Sequence, residues 1–256
     1  MEYAVDYIYS LLTQYIWTFS RVGAFFMVMP IISTPLVSTR LRLSIALAVT
    51  LLIANGLPEK VPDLEPFSLA SMFVIAQQIL IGAVMAFTLQ ILFQVFVVGG
   101  QLVAMQSGLG FGTLMDPVNG INVTSISQLY LMSVNLLFFT MNGHLTVISM
   151  LSESFTTLPI GESLPQESLM ALAKMGSWLF SSGLLVAWPA VISLLVVNFT
   201  FGVISRVAPQ MNIIAIGFPF TMVTGLIIIW LTLPNVLPQF DTLSAHAFLS
   251  MKSMVQ

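Results

Sequence analysis

Apolar residues run along this chain in long unbroken stretches. They show neither the alternation of a half-buried strand nor the three-and-four spacing of a surface helix. The stretches cover about residues 8–29, 41–57, 69–98, 126–150, 176–205 and 212–237. A membrane helix needs about 20 mostly apolar residues, so the pattern predicts an all-α membrane protein of about six long hydrophobic helices. The third is long enough to tilt or to project beyond a bilayer. Arg21 lies inside the first, and Pro30 closes it, because proline breaks the helical hydrogen-bond ladder. Strands are not expected, since a membrane barrel would show alternating segments of about ten residues.

The connections differ in character. Residues 58–68 are proline-rich and acidic. Residues 151–175 are also acidic; there Ser163 and Gln166 fit a capping box and Pro165 suits a first turn. A short amphipathic helix over about 164–175 is the expectation. Residues 99–125 are glycine-rich and apolar, with Asp116 as their single charge. A segment of that kind sits badly in water, and as open backbone it sits badly in lipid.

Composition sharpens the class. The chain is 57% hydrophobic and 7% charged, against roughly 25% charged residues in a soluble domain. Seven Lys and Arg and ten Asp and Glu are too few to coat a soluble body of 256 residues. A cytosolic enzyme, a disordered chain and a nucleic-acid binder are thereby disfavoured. The net charge of −3 gives no electrostatic case for an anionic partner. The first residues lack the basic region of a signal peptide, so the first apolar stretch reads as a retained helix. Lys and Arg divide evenly between the two sides of a six-helix topology and do not orient it. The excess of acids on the side of the termini favours both termini outside.

Candidate chemistry is sparse. There is no cysteine, which removes disulfides and thiol catalysis. His144 and His246 are the only histidines and form no H-E-x-x-H pattern. Ser107-Gly108 and Ser182-Gly183 lack the glycine two places upstream that a nucleophile elbow shows. Asp116 has no partner for acid–base work. No catalytic residue, metal site or cofactor is expected, and the chain reads as a non-enzyme. Arg21 is costly in a bilayer, by about 2.5–3.5 kcal/mol. It either snorkels, pairs with an acid, or faces a protein or water-lined interior. Gln90, Gln94 and Gln101 share one helical face, which serves interhelical hydrogen bonding or lines an aqueous path. Gly217, Thr221 and Gly225 form a small-residue stripe that permits close helix approach. Pro189 and Pro219 should kink the last two helices.

The loop 106–122 is the strongest functional lead. Its glycines give backbone freedom, and Phe111, Leu114 and Met115 give apolar bulk. It serves either as a re-entrant packing loop or as a gate or plug. At this loop, Gly-Leu-Gly-Phe-Gly-Thr-Leu-Met-Asp-Pro at 108–117, the chain resembles the FliR family of flagellar export proteins. The resemblance continues through Asn-Gly-His-Leu at 142–145, Thr-Leu-Pro-Ile-Gly at 157–161, Arg206–Asn212 and Ile216–Pro219.

The resemblance implies a subunit of the type III export gate, in the bacterial inner membrane at the flagellar basal body. It implies assembly with several copies of FliP and FliQ in a helical hetero-oligomer, with FlhB and FlhA nearby and unfolded flagellar substrates in transit. On this likeness about residues 1–175 are a FliP-like portion and about 176–256 a FliQ-like hairpin and tail. Gly108, Gly110, Phe111, Gly112, Thr113, Leu114, Met115, Asp116 and Pro117 would form the pore plug. Arg206, Pro209, Gln210, Met211 and Asn212 would form a cytoplasmic hairpin turn in contact with a partner. The assembled gate of that family is lifted largely out of the bilayer, so some apolar stretches would pack on other subunits. The alternative is a small secondary transporter, built on Arg21, the glutamine face and Pro219. Against it, no acidic residue lies inside the spans and no internal repeat is evident. An intramembrane hydrolase would need a nucleophile and base that the sequence does not offer.

Overall fold

The computed structural model of the chain describes residues 2–56, 64, 68–111, 113–115, 122–207 and 213–256. Helices dominate it. Among the described residues they are α1 (Glu2–Val28), α2 (Thr39–Ala54), α3 (Leu69–Gln106), α4 (Ser125–Thr140), α5 (Gly143–Thr157), α6 (Gln166–Val207), α7 (Ile213–Thr232) and α8 (Val236–Met254). α1 stops two residues before Pro30, as the restriction on residues preceding proline requires. α2 opens on Ser38, whose hydroxyl accepts from the Leu41 amide.

Several expected boundaries are corrected. The fourth apolar stretch is two helices, because Asn142 takes a left-handed conformation (φ 56°) and interrupts the ladder between α4 and α5. Asparagine tolerates that region, and the Asn142-Gly143 pair was a turn signal that the hydropathy reading passed over. The separate helix expected over 164–175 does not exist as such. α6 starts at Gln166 and continues through Pro189 to Val207. α8 was not anticipated, because its polar positions lower its hydropathy. Among the described residues, three helical runs are long and apolar enough to cross a membrane: Leu69–Gln106, Gln166–Val207 and Gly217–Met254. Counting α4 and α5 together as one broken span makes four, where the sequence pattern predicts six. α2, with 16 residues, is short of a crossing. Strands, not expected at all, occur once among the described residues: β1 (Thr113–Met115) pairs antiparallel with β2 (Asn122–Thr124), Leu114 opposite Val123.

The chain forms two compact units and passes between them within or beside helices. The first comprises Met1–Gln90, Asn142–Met175 and His246–Gln256, the second Ile91–Met141 and Gly176–Ala245.

In the first unit, α1 packs on α2 and on the first half of α3. Gln14 Nε2 donates to the Ala54 carbonyl at 3.0 Å, and Trp17 Nε1 donates to Ser71 Oγ at 3.3 Å. Trp17, Val22, Phe25, Ile81 and Leu89 are fully buried. Gly82 lets α3 touch α1, since a Cβ there would lie 2.1 Å from the Arg21 carbonyl oxygen. The end of α8 joins this unit, with Met251, Met254 and Val255 buried.

In the second unit, Phe93 and Phe96 on α3 meet Phe240 on α8 at ring distances of 6.5 and 5.8 Å. Phe93 also meets Phe138 on α4 edge-on at 5.5 Å. Gly99 and Gly183 bring α3 and α6 close: a Cβ on Gly99 would lie 3.1 Å from the Gly183 carbonyl oxygen. The outer faces of α6 and α7 expose large apolar side chains, among them Phe180, Phe199, Trp188 and Trp230. Such faces suit lipid or other apolar subunits, not water.

Candidate functional site

The site is built at the end of α3. Ser107 and Gly108 leave the helix in a turn, the Ser107 amide still donating to the Val103 carbonyl at 3.0 Å. Gly108 has φ 76°, which a side chain would resist. Leu109–Phe111 then form one 3-10 turn, and the backbone continues into β1. β2 returns directly into α4, with Thr124 as its N-cap.

Both roots of this loop are fixed. At the first, Asn198 of α6 donates through Nδ2 to the Gln106 carbonyl at 3.2 Å, satisfying one of the free carbonyls at the end of α3. Ser107 is fully buried. A Cβ on Gly225 of α7 would stand 2.5 Å from the Ser107 Cβ, which the backbone fixes, so only glycine fits there unless the two segments part. A Cβ on Gly108 would meet the Phe218 ring at 3.2 Å, so α7 also walls that residue. At the second root, the Ser127 amide donates to Thr124 Oγ1 at 3.2 Å, and Ser127 Oγ donates to the Val97 carbonyl of α3 at 3.0 Å. A Cβ on Gly100 would lie 2.6 Å from the Ser127 Cα and 2.9 Å from its amide nitrogen.

The other candidates fall elsewhere. Gly108, Gly110 and the backbone of Phe111 and Thr113–Met115 belong to this structure. Gly112, Asp116 and Pro117 lie outside the described residues. Gln90, Gln94 and Gln101 all lie on α3 and are half-buried. Arg206 is exposed in the last turn of α6, where a cation complements the helix dipole. Pro209, Gln210, Met211 and Asn212 lie outside the described residues. Gly225 of the small-residue stripe turns out to abut the loop. Asn198, Ser127 and Gly100 are contacts the sequence reading missed. The adjacent pair Gly99-Gly100 inside a long helix was the available signal, since glycine costs about 1 kcal/mol there unless packing needs it.

Arg21 is settled as a protein-interior residue. It is fully buried. Its Nε donates to Gln78 Oε1 at 2.8 Å, Nη1 to the Ser154 carbonyl at 2.8 Å and Nη2 to the Leu158 carbonyl at 2.8 Å. The guanidinium also lies 4.2 Å from the centre of the Phe155 ring. Among the described residues these hydrogen bonds go to carbonyl and hydroxyl oxygens and not to a carboxylate. The charge is met by carbonyls at the negative end of α5. Neither the described part of the loop nor the Arg21 centre offers a metal cage: no group of three or more His, Asp or Glu among the described residues is placed to hold an ion.

Sequence comparison shows which known proteins the chain is similar to. The family described as Bacterial export proteins, family 1, matches residues 12–247. The Flagellar biosynthetic protein FliR of Escherichia coli (strain K12) is 38% identical over 93% of this chain and 91% of its own length. The chain belongs to the FliR family of bacterial export proteins. FliR of Pectobacterium carotovorum is 34% identical over 92% of this chain and 90% of its own length. The Surface presentation of antigens protein SpaR of Salmonella typhimurium is 27% identical over 93% of this chain and 90% of its own length. The family's coverage takes in α2 through α7 whole, and with them the loop and both its roots.

Proposed function

We propose that this chain is a core subunit of the flagellar type III protein export gate, forming with FliP and FliQ the pore for unfolded flagellar substrates. FlhB and FlhA are its neighbours, and the site of action is the inner membrane at the flagellar basal body. Residues 108–117 act as an apolar plug. No catalysis is required of it: an apolar constriction excludes ions by dewetting and yields to a polypeptide. About residues 1–175 correspond to a FliP-like portion and about 176–256 to a FliQ-like hairpin. Arg206–Asn212 is its cytoplasmic turn, and the Gln90, Gln94 and Gln101 face is a polar lining.

The observation that carries this reading is the clamped loop. Its sequence is apolar and glycine-rich, yet both roots are fixed to neighbouring helices. A plug needs that combination, because the seal must be held in place and still be displaceable. The exposed apolar faces of α6 and α7 add support, being surfaces that other membrane subunits would cover.

Native mass spectrometry of the tagged chain, co-expressed with FliP and FliQ of the same organism, tests the assembly. One copy of this chain with multiple copies of both partners is the expected result. A monomer or homodimer beside well-expressed partners would overturn it and favour a transporter. Deleting residues 110–117 tests the plug. The assembly should survive and the membrane should leak small solutes; an intact complex with unchanged permeability would remove the plug assignment.

A further inference from the structure

We infer that the outer face of α2, with the turn before it, docks on phospholipid whose headgroup is anionic. Arg40 meets the headgroup and a leucine stripe meets the acyl chains. Nothing in this depends on the plug reading.

α2 has two unlike faces. Ala46, Val49, Thr50, Ile53 and Ala54 are buried on one. On the other, Leu41, Leu43, Leu47 and Leu51 are about half exposed and Leu52 is 78% exposed. Arg40, Ser44, Leu47 and Leu51 follow one another at helical spacings of four, three and four, so the cation heads the stripe.

The two ends of α2 also differ. At the far end the polar atoms are paired within the chain. Gln14 Nε2 donates to the Ala54 carbonyl at 3.0 Å, and the Tyr15 hydroxyl donates to Asn55 Oδ1 at 3.0 Å. At the near end Arg42 Nη2 donates to the Thr34 and Val37 carbonyls, the second at 3.0 Å. That fixes the turn, from which Leu36 stands 79% exposed. Arg40 is exposed at the same end. Among the described residues it meets no carboxylate, the one ion pair there being Lys252 with Glu153. Residues 7–58 hold no Asp or Glu at all.

The face thus joins apolar surface to uncompensated positive charge, with the charge at one end only. Water would satisfy Arg40 and leave the leucines exposed. An apolar subunit face would satisfy the leucines and strand the cation. A leaflet with anionic headgroups satisfies both, because an arginine stem lies along apolar surface while its head reaches the polar layer. At 1.5 Å per residue, α2 is about 24 Å long, short of the roughly 30 Å hydrocarbon core. It reaches one headgroup layer and not both, and its charged end is the one that does.

The test is lipid retention by the purified full chain in detergent, read by native mass spectrometry. The probes are phosphatidylglycerol, phosphatidylcholine with the same acyl chains, and inorganic phosphate. Phosphatidylglycerol should be held about fivefold more tightly than phosphatidylcholine, the factor equivalent to about 1 kcal/mol per basic residue near an anionic surface. Arg40→Gln should erase that preference and Arg40→Lys should keep it. Lys174→Gln removes the same charge from an exposed position of α6 and should leave the preference unchanged. Leu47→Gln should weaken both lipids alike. The inference is overturned by a chain without the preference, by a preference that survives Arg40→Gln, or by an equal loss with Lys174→Gln. Displacement of phosphatidylglycerol by inorganic phosphate would assign a free-phosphate site and overturn the lipid. A protein occupant is distinguished in the complex isolated from cell membranes with its copurifying subunits. The chain has no cysteine, so Leu36→Cys takes a single fluorescent label. In vesicles of phosphatidylcholine and phosphatidylglycerol, lipid bearing a quencher on its acyl chain should quench that label. A label quenched in the isolated chain but shielded in the complex would assign the face to another subunit and overturn the inference.

Discussion

In the first unit a cation is buried among polar atoms and donates hydrogen bonds to α3 and to the end of α5. In the second unit the loop roots are held largely by shape, through glycines that let backbone approach side chain or backbone. The two arrangements fail differently. A hydrogen-bonded centre in an apolar interior is all or nothing, because each lost partner strands a desolvated group. A glycine contact has no partner to strand, and its strength falls smoothly as the helices separate. The first resists partial separation, and the second yields gradually.

The largest effect is expected from Arg21→Met. The substitution leaves the Leu158 carbonyl and Gln78 Oε1 without the guanidinium, each costing about 1–3 kcal/mol when buried and unpaired. The Ser154 carbonyl keeps the Leu158 amide, at 3.0 Å, and suffers less. Against a total stability of about 5–15 kcal/mol, several kcal/mol is enough to empty the membrane of folded chain. Immunoblotting of membranes, with thermal unfolding in detergent, reads it. Arg21→Lys should recover only part, because an ammonium lacks the planar fork that reaches four acceptor atoms at once. Near-normal levels of Arg21→Met would show that the centre is not what fixes this unit, and the contrast with the loop would lose its basis.

Gly82→Ala comes next. Its Cβ would sit 2.1 Å from the Arg21 carbonyl oxygen and 3.0 Å from the carbonyl carbon. That obstruction is backbone, as at Gly100, so α1 and α3 must part, at about 1–3 kcal/mol for an overpacked site. Alanine's better helix propensity returns about 1 kcal/mol. The net should be a lowered unfolding temperature. Gly202→Ala in α6 is the control, with nothing within 4 Å of the added methyl. It should leave the isolated chain unchanged or slightly more stable. Equal effects at the two glycines would mean that helix propensity, not close approach, explains them.

These residues also mark how far the sequence could be read. Helical class, membrane character and the limits near Pro30 and Leu69 were legible, because apolar run length and proline are local signals. The break at Asn142 was passed over, although the Asn142-Gly143 pair is a local turn signal, because averaged hydropathy stays high across it. α8 was not, because its buried face is spaced among polar residues. The loop stood out by composition, but its anchors did not: Asn198 is 92 residues from Gln106, and Ser127 is 30 from Val97. The partners of Arg21 lie 57, 133 and 137 residues away. Pairings at such separations are decided by packing, which no local pattern carries.

The smallest effect separates two cation contacts made by consecutive residues of α5. Glu153 pairs with Lys252 at 2.6 Å, the side chains being 45% and 44% exposed. Ser154 carries no charge, yet its carbonyl and hydroxyl both receive Arg21, at 2.8 and 3.1 Å, in a fully buried site. Water competes for both charges of the first pair, so Glu153→Gln should cost less than about 1 kcal/mol. Screening should erase even that at high salt, where the Debye length falls to about 3 Å. The end of α8 stays in place through Met251, Met254 and Val255, which the substitution does not touch. Ser154→Ala removes one acceptor from a buried cation, and hydrogen bonds to charged groups are worth about 1.5–3 kcal/mol. The uncharged serine should therefore matter more than its charged neighbour, with a loss that salt does not alter. Thermal unfolding of both variants at low and high salt measures the difference. A larger, salt-sensitive loss for Glu153→Gln would move the holding interaction of this unit from its interior to its surface.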